Sequence, residues 1–270
     1  MDVLCHYTKE QSARSILESS QLRFGLLARS NDPIEIKQLW LHADGLDSET
    51  VKEINLTMNE YRDCILRLLC FSAGTVPPGT IDNPETVIFL HQLGSHPPFY
   101  LPRTWAQYGQ NHEGVCLVFS RKKLTTRFQK LAAGKYELRI EDIKYTDFVK
   151  KDHLVDIGDL LSISKEDMLK YRDKGIVHKI LTESYRKLYM VKDNDWKDER
   201  ECRALLWESG PCEPNKEVLF DIDSLLVAMF VGLRFDQKKM AFYEEQARAR
   251  NIPLYSLKMD EFMIVADQVI

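Results

Sequence analysis

Two kinds of hydrophobic spacing alternate along the chain and predict an α+β fold. Short apolar runs predict strands, and the clearest of these runs are Val3–Tyr7, Leu22–Leu27, Leu68–Ser72, Val115–Phe119 and Leu225–Leu233. Apolar residues three and four positions apart predict helices over Lys9–Ser19 and Lys238–Arg250. Because strands and helices are intermixed without repeats or a linker, we expect one domain spanning residues 1–270.

The remaining segments complete the predicted order of elements. A mainly helical pattern covers 34–69, interrupted near Asp44–Gly45, and residues 160–190 predict two further helices. Strands are predicted at 136–145, in the second half of 196–207 and at 253–257, with a short helix at 104–108 and a turn at 111–114. Residues 74–102 are rich in Gly, Pro, Asn and His, which predicts a long loop of the kind that often forms lids.

Composition narrows the class of protein. The 270 residues are 44 % hydrophobic and 29 % charged with a net charge of −4, which argues against a strongly basic nucleic-acid-coating surface. Local basic clusters remain, at Arg121–Lys123 and at Lys144, Lys150 and Lys151. Six cysteines without a CxxC pair predict free, buried thiols. The opening segment has no signal-peptide pattern, and no run approaches the roughly 18 apolar residues of a membrane span, so we expect a cytoplasmic protein without membrane partners.

Three polar clusters fall on or beside predicted strands. His6-Tyr7-Thr8 ends the first strand, where a histidine serves either structure or ligand hydrogen bonding. The second cluster is Arg29-Ser30-Asn31-Asp32-Pro33 with Glu35. It is either a turn and helix cap, or an anion site in which the planar guanidinium of Arg29 binds phosphate or carboxylate. Glu199, Glu201 and Arg203 alternate as one face of a strand, either solvated or forming a carboxylate pair beside a cation.

Two aromatic residues lie between these clusters. Trp105 and Tyr108 are three residues apart and share a helical face. Aromatic residues at this spacing usually belong to a core, which is the simpler interpretation of Trp105. Tyr108 precedes the flexible Gly109 and is the better candidate for stacking on a ligand ring.

Taken in order, these motifs resemble a broad bacterial family known as a domain of unknown function. The resemblance rests on His6-Tyr7-Thr8, Asn31-Asp32-Pro33 with Glu35, Cys70-Phe71-Ser72, Trp105-Ala106-Gln107-Tyr108, Gly114–Phe119 and Trp196–Arg203. The same layout is similar to the ADP-ribosyltransferase superfamily, in which an early His or Arg, a middle Ser or Tyr and a late Glu-x-Glu form the site. That similarity implies mixed, largely antiparallel sheets with flanking helices.

The resemblance also implies roles for individual residues. Glu201 is the expected main catalytic residue, with Glu199 and Tyr108 beside it. NAD, as substrate, is expected to contact His6, Tyr7, Thr8, Arg29, Asn31, Ser72 and Trp105. The middle motif here is Cys70-Phe71-Ser72 where the superfamily has Ser-Thr-Ser, so Ser72 departs from the pattern.

The implied function is NAD-dependent ADP-ribosyl transfer to an unknown protein or nucleic-acid acceptor, or NAD cleavage, in a toxin or phage-defence setting and without a metal. One alternative is a metal-dependent nuclease or phosphoesterase that uses Asp32, Glu35, Glu199 and Glu201, because oxygen ligands suit Mg²⁺. The other alternative is a non-catalytic nucleotide-binding module.

Overall fold

The computed structural model describes residues 1–32, 47–77, 79, 81, 97–147, 166, 174–208, 216–260 and 263–270. Within these residues the helices are α1 (Glu10–Ser19), α2 (Ser48–Cys64), α3 (Pro102–Gln107), α4 (Arg121–Ala132), α5 (Lys174–Tyr189) and α6 (Met240–Arg250). The strands are β1 (Asp2–Thr8), β2 (Gln21–Leu26), β3 (Arg67–Thr75), β4 (Val115–Ser120), β5 (Tyr136–Asp142), β6 (Lys144–Thr146), β7 (Val191–Asp193), β8 (Glu201–Glu208), β9 (Val218–Asp221), β10 (Leu226–Val231), β11 (Leu254–Asp260) and β12 (Met263–Gln268). Short 3₁₀ helices occupy Leu27–Arg29, Asn194–Glu199 and Gln237–Lys239.

One mixed, mostly antiparallel sheet of ten strands organises the fold. Its main path runs β12-β11-β10-β4-β1-β3-β2-β9, and β8 joins β3 on one side and β5 on the other. The β10–β11 pair is parallel, whereas the other pairs of this sheet are antiparallel. β6 and β7 form a separate two-stranded parallel sheet. The α+β class with flanking helices is therefore confirmed.

Helices cover the sheet because their apolar stripes match its buried faces. Leu124 and Phe128 of α4 and Tyr243 of α6 join the largest buried cluster, together with Leu4 of β1. The neighbouring residues Val3 and Cys5 point to the opposite face and join a second cluster with Phe99 and Trp105. This alternation is the two-residue period of a strand buried on both faces.

The sheet forks at β3, and the fork creates the space for a site. β1 pairs with β3 from Asp2 opposite Thr75 to Cys5 opposite Ser72. Further along the same strand β2 takes over, with Gly25 opposite Leu68. Between these two pairings the end of β1 diverges from β3. The His6 ring lies between the two strands, with Nδ1 3.1 Å from the Cys70 carbonyl oxygen.

Most predicted elements are present, with differences at particular segments. The predicted strand 136–145 is interrupted at Ile143, whose N–H donates to the Glu201 carbonyl at 2.8 Å, and the chain then leaves the main sheet as β6. α4, β7, β9 and β12 were not predicted. The helix expected after Pro33, the interruption at 44–45 and most of the 74–102 loop fall outside the described residues, as does the first half of the 160–190 segment.

Neither disulfides nor spanning helices are found where the structure is described. Cys5, Cys64, Cys70, Cys116 and Cys202 are free, and three of them are buried, as the absence of paired spacing predicted. None of the helices within the described ranges is long and apolar enough to cross a membrane.

Candidate active site

A cavity of about 600 Å³ opens where β1 and β3 diverge. It brings together residues from five distant segments of the chain, because β1, β2, β3 and β8 all end or fork here. Of the residues expected from the sequence, those lining it are His6, Tyr7, Arg29, Asn31, Ser72, Tyr108, Glu199 and Glu201.

Strand pairing places Ser72 between β1 and β8 in the wall of this cavity. Ser72 lies opposite Cys5 of β1 on one side and opposite Glu201 of β8 on the other. It is 5 % exposed, so little of its side chain reaches solvent. The early, middle and late motifs of the sequence therefore meet through the register of β1, β3 and β8.

Glu199 reaches the site by a different route from the one predicted. It ends the 3₁₀ helix Asn194–Glu199 and is not part of the strand. Arg200 follows in the left-handed region with φ of 48°, and β8 begins at Glu201. The prediction of one strand face bearing Glu199, Glu201 and Arg203 is wrong for Glu199, since the left-handed residue breaks the alternation. Glu201 and Arg203 do share a face.

Lys192 pairs with both glutamates of the cavity, and Arg203 pairs with Glu201. Lys192 Nζ donates to Glu199 Oε2 at 2.7 Å and to Glu201 Oε2 at 3.1 Å. Arg203 Nε donates to Glu201 Oε1 at 2.7 Å, and its Nη1 donates to the Tyr189 carbonyl at 2.6 Å. The exposed fractions of these four side chains are between 1 % and 6 %. Two carboxylates and two cations therefore form a buried cluster without net charge.

The cluster keeps Glu201 ionised. Burial acts to raise the pKa of Glu201, but the charges of Arg203 and Lys192 outweigh it and lower the pKa from 4.5 to about 2. Tyr145 adds a contact from outside the cluster, because its hydroxyl accepts a hydrogen bond from the Glu201 N–H at 2.7 Å. Burial raises the pKa of Tyr145 to about 12, so its hydroxyl stays protonated at neutral pH.

Tyr108 connects the carboxylate cluster to the Arg29–Asp32 segment. Its hydroxyl donates to Glu199 Oε1 at 2.8 Å and accepts from Asn31 Nδ2 at 3.1 Å. Burial and the nearby charge of Glu199 raise the pKa of Tyr108 above its ordinary value. The phenol therefore remains a hydrogen-bond donor to the carboxylate over the physiological pH range.

Cations surround the opening of the cavity. Lys9, Arg23 and Arg29 all line it and are exposed. Arg23 has an exposed ion pair with Glu217 at 3.5 Å, which is too weak to fix its position. Burial lowers the pKa of His6, so the ring beside these cations is neutral at pH 7. The cavity thus has cations at its opening and carboxylates at its bottom.

Some residues expected at the site lie elsewhere. Trp105 is fully buried among the β1 and β10 side chains and donates through Nε1 to the Phe99 carbonyl at 3.0 Å, so it belongs to the core. Thr8 lines a separate depression of about 470 Å³ that includes His6 and several α1 side chains. Asp32 is buried and does not line the main cavity, and Pro33 and Glu35 lie outside the described residues.

Two functional candidates gave no recognisable signal in the sequence. Lys192 is one of several lysines in a charged stretch, and its contacts depend on the β6–β7 pairing. Cys70 was interpreted as a buried apolar residue, but it is partly exposed and lines the cavity beside Glu201.

A second cavity of about 400 Å³ also includes Glu201, together with Tyr145, Lys197 and Arg200.

Within the described residues no group of three or more His, Cys, Asp or Glu side chains is arranged to hold a metal ion.

A family model described as a protein of unknown function (DUF2971) matches residues 104–204. The match includes Tyr108, Lys192, Glu199 and Glu201, whereas His6 lies outside it. No curated protein and no solved structure matches the chain.

Proposed function

We propose that the protein is an NAD-dependent ADP-ribosyltransferase that moves ADP-ribose to a protein or nucleic-acid acceptor, or to water. The main support is the position of Glu201, which lies beside Glu199 and opposite Ser72 in a cavity that His6 also lines. This set of residues is the one that the superfamily resemblance implied. The observation that carries the proposal is their convergence from segments about 60 to 130 residues apart.

The ionised Glu201 suits the chemistry of this reaction. Cleavage of the nicotinamide–ribose bond develops positive charge on the ribose, as in glycoside cleavage. A carboxylate offers about four lone-pair positions. Arg203, Lys192 and the Cys70 thiol each use one, so Glu201 retains acceptor capacity for a ribose hydroxyl. Nicotinamide leaves with the bonding electrons, and the acceptor attacks the ribose carbon and loses its proton.

The opening of the cavity suits the rest of the cofactor. Lys9, Arg23 and Arg29 provide positive charge where the pyrophosphate of NAD would be bound, and an arginine fork matches phosphate geometry. A cavity of about 600 Å³ has the size of ordinary small-molecule sites. The neutral His6 ring offers one donor and one acceptor to a ribose or an amide.

The position of Lys192 favours this proposal over a metal-dependent nuclease. Its ammonium lies between the Glu199 and Glu201 carboxylates, at 2.7 and 3.1 Å, where a divalent cation bridging them would have to be. A nuclease reaction through these two residues would therefore require Lys192 to move. Loss of activity in EDTA, restored by Mg²⁺, would favour the nuclease.

One observation favours a second candidate, a nucleotide-binding module without turnover. Lys192 and Arg203 balance the charge of the two glutamates, and a neutral cluster stabilises developing positive charge less than a lone carboxylate pair does. Hydroxyl recognition is unaffected by this balance. Binding of NAD without nicotinamide release over hours would support this candidate.

The test is incubation of the purified protein with NAD⁺ and a whole-cell lysate, with free nicotinamide measured by chromatography. We expect release that falls by about 10²-fold or more in Glu201→Gln, the range of a positioned acid–base group. Glu183→Gln, whose side chain is 62 % exposed, is the matched control and should release nicotinamide at the wild-type rate. Labelled NAD then shows whether protein, DNA or RNA carries the product.

Binding measured by calorimetry separates the remaining outcomes. Release at the wild-type rate in Glu201→Gln would refute the assignment of Glu201. Binding of NAD by both proteins without release would replace the transferase with the binding module. Neither binding nor release, with protein and nucleic acid both present, would refute NAD as the ligand.

A further inference from the structure

Lys192 occupies a position that the main sheet does not provide. It is the middle residue of β7, which pairs in parallel with β6 as a separate two-stranded sheet. In this pairing Lys192 lies opposite Tyr145, and both side chains reach Glu201: the ammonium contacts its carboxylate and the phenol contacts its N–H. The small sheet therefore contributes two contacts to one residue of the site.

The burial of Lys192 makes its pairing important. Its side chain is 3 % exposed, and its ammonium also lies 4.5 Å from the centre of the Trp196 ring. A buried ammonium is unfavourable without hydrogen-bonded counter-charges. Here two carboxylates provide them, so the ammonium and the carboxylate pair stabilise one another.

The other contacts of the two glutamates are unequal. Glu201 also receives the Arg203 guanidinium on Oε1 and a hydrogen bond from the Cys70 thiol. Glu199 receives the Tyr108 hydroxyl on Oε1. Without Lys192 the cluster would hold two carboxylates and one cation, and Glu199 would lose its charged partner.

We propose that Lys192 is a positioning residue that holds the Glu199 and Glu201 carboxylates side by side. Its importance for catalysis rests on the proposed function, whereas its effect on the two carboxyl groups does not. Both carboxylates contact the same nitrogen, so the contacting oxygens are at most about 6 Å apart. A cation this close lowers a carboxyl pKa by about 1–3, so removing the Lys192 charge while the two carboxylates still repel each other should raise the pKa of one of them by about 2.

Two substitutions and a control test the proposal. Lys192→Met removes the charge, and Lys192→Arg keeps it. Lys52→Met is the control and removes an exposed lysine of α2 that lines neither of the cavities containing Glu201. The carboxyl carbons of ¹³C-labelled glutamate are followed by NMR from pH 3.5 to 8, with the two resonances assigned by Glu199→Gln and Glu201→Gln.

In the wild type and in Lys52→Met we expect Glu201 to stay ionised throughout this range. In Lys192→Met one of the two carboxyl groups should titrate at a midpoint about 2 pH units higher than in the wild type. Lys192→Arg should restore the lower midpoint. Titration curves of both carboxyl groups that coincide in Lys192→Met and the wild type from pH 3.5 to 8 would overturn the proposal.

A double variant keeps the test decisive if Lys192→Met folds poorly. Glu199→Gln in the Lys192→Met background removes the carboxylate that has lost its charged partner. We therefore expect the double variant to unfold at a higher urea concentration than Lys192→Met alone. A midpoint equal to or below that of Lys192→Met would contradict the proposed pairing.

The activity measurement is independent of both readouts. If the wild type releases nicotinamide, the acid limb of the rate profile should move to higher pH in Lys192→Met and return in Lys192→Arg. If the wild type releases none, the proposed function fails, while the NMR and denaturation results still decide the role of Lys192.

Discussion

The pH dependence of stability measures how strongly the cluster holds the charge of Glu201. Glutamine at position 201 has nearly the same shape but cannot ionise, so Glu201→Gln removes the titration and keeps most of the packing. Burial acts to raise the pKa of Glu201, yet Arg203 and Lys192 lower it from 4.5 to about 2 in the folded protein. The unfolded chain releases the same proton near the ordinary value.

The sign of the effect follows from this difference. Because the folded pKa is the lower one, Glu201 contributes stability above about pH 4.5 and loses it as the pH falls towards 2. A difference of about 2.5 between the two pKa values corresponds to about 3 kcal/mol in the free energy of unfolding. Of this, about 2 kcal/mol is lost by pH 3.

Urea denaturation followed by circular dichroism at pH 7, 5, 4 and 3 measures this loss. We expect wild type to exceed Glu201→Gln in stability at pH 7, and this excess to shrink by about 2 kcal/mol at pH 3. The lowered pKa values of Glu10 and Glu141 also contribute to acid sensitivity, but they are common to both proteins and cancel in the difference. Glu183→Gln should follow the wild type at every pH. An excess that stays constant from pH 7 to pH 3 would refute the charge balance inferred for the cluster.

Four further substitutions, one of them a control, test the surrounding structure by urea denaturation. Tyr108→Phe removes the hydroxyl shared by Asn31 and Glu199 and should cost about 1–2 kcal/mol of stability. Gly114→Ala places a methyl group 2.2 Å from the Thr8 carbonyl oxygen and should cost about 3 kcal/mol, whereas Gly25→Ala, with 3.8 Å to its nearest neighbour, should cost under 1 kcal/mol. Trp105→Phe should lower stability by about 1–3 kcal/mol and leave NAD affinity unchanged in calorimetry, because Trp105 lies outside the cavity.

The sequence predicted the strands of the central sheet well because their apolar runs are continuous. Val115–Ser120 is buried at every position, and such runs suit few structures other than a central strand. Helix α4 was not predicted, because Arg121–Lys123 was interpreted only as a local basic cluster. Its apolar residues Leu124, Phe128 and Ala132 repeat every four positions and form a narrow stripe. This four-residue apolar spacing is the sequence signal that predicts the helix.

The site was only partly predictable, for a physical reason. Glu201 and Ser72 are brought together by strand register, which alternation in the sequence reports indirectly. Trp105 and Tyr108 share a helical spacing but lie in different environments. Trp105 packs in the core, whereas Tyr108 follows the last residue of α3 and donates a hydrogen bond to Glu199. The Gly109 that follows Tyr108 favours it as the ligand-facing residue of the two, whereas the packing of β1 and β10 decides that Trp105 is buried.

Lys192 shows most clearly what a single sequence leaves out. A lysine in a charged stretch is usually exposed, and the segment around it carries Lys187, Asp193 and Asp195 as well. Its burial follows from the interruption at Ile143, which directs β6 away from β5 and creates the short parallel pairing with β7. The charge balance of the site therefore depends on an interrupted strand about 50 residues earlier in the chain, a long-range effect that local periodicity does not encode. For the same reason, a substitution that restored continuous pairing at Ile143 would be expected to withdraw both Tyr145 and Lys192 from Glu201, although neither of them would itself have been changed.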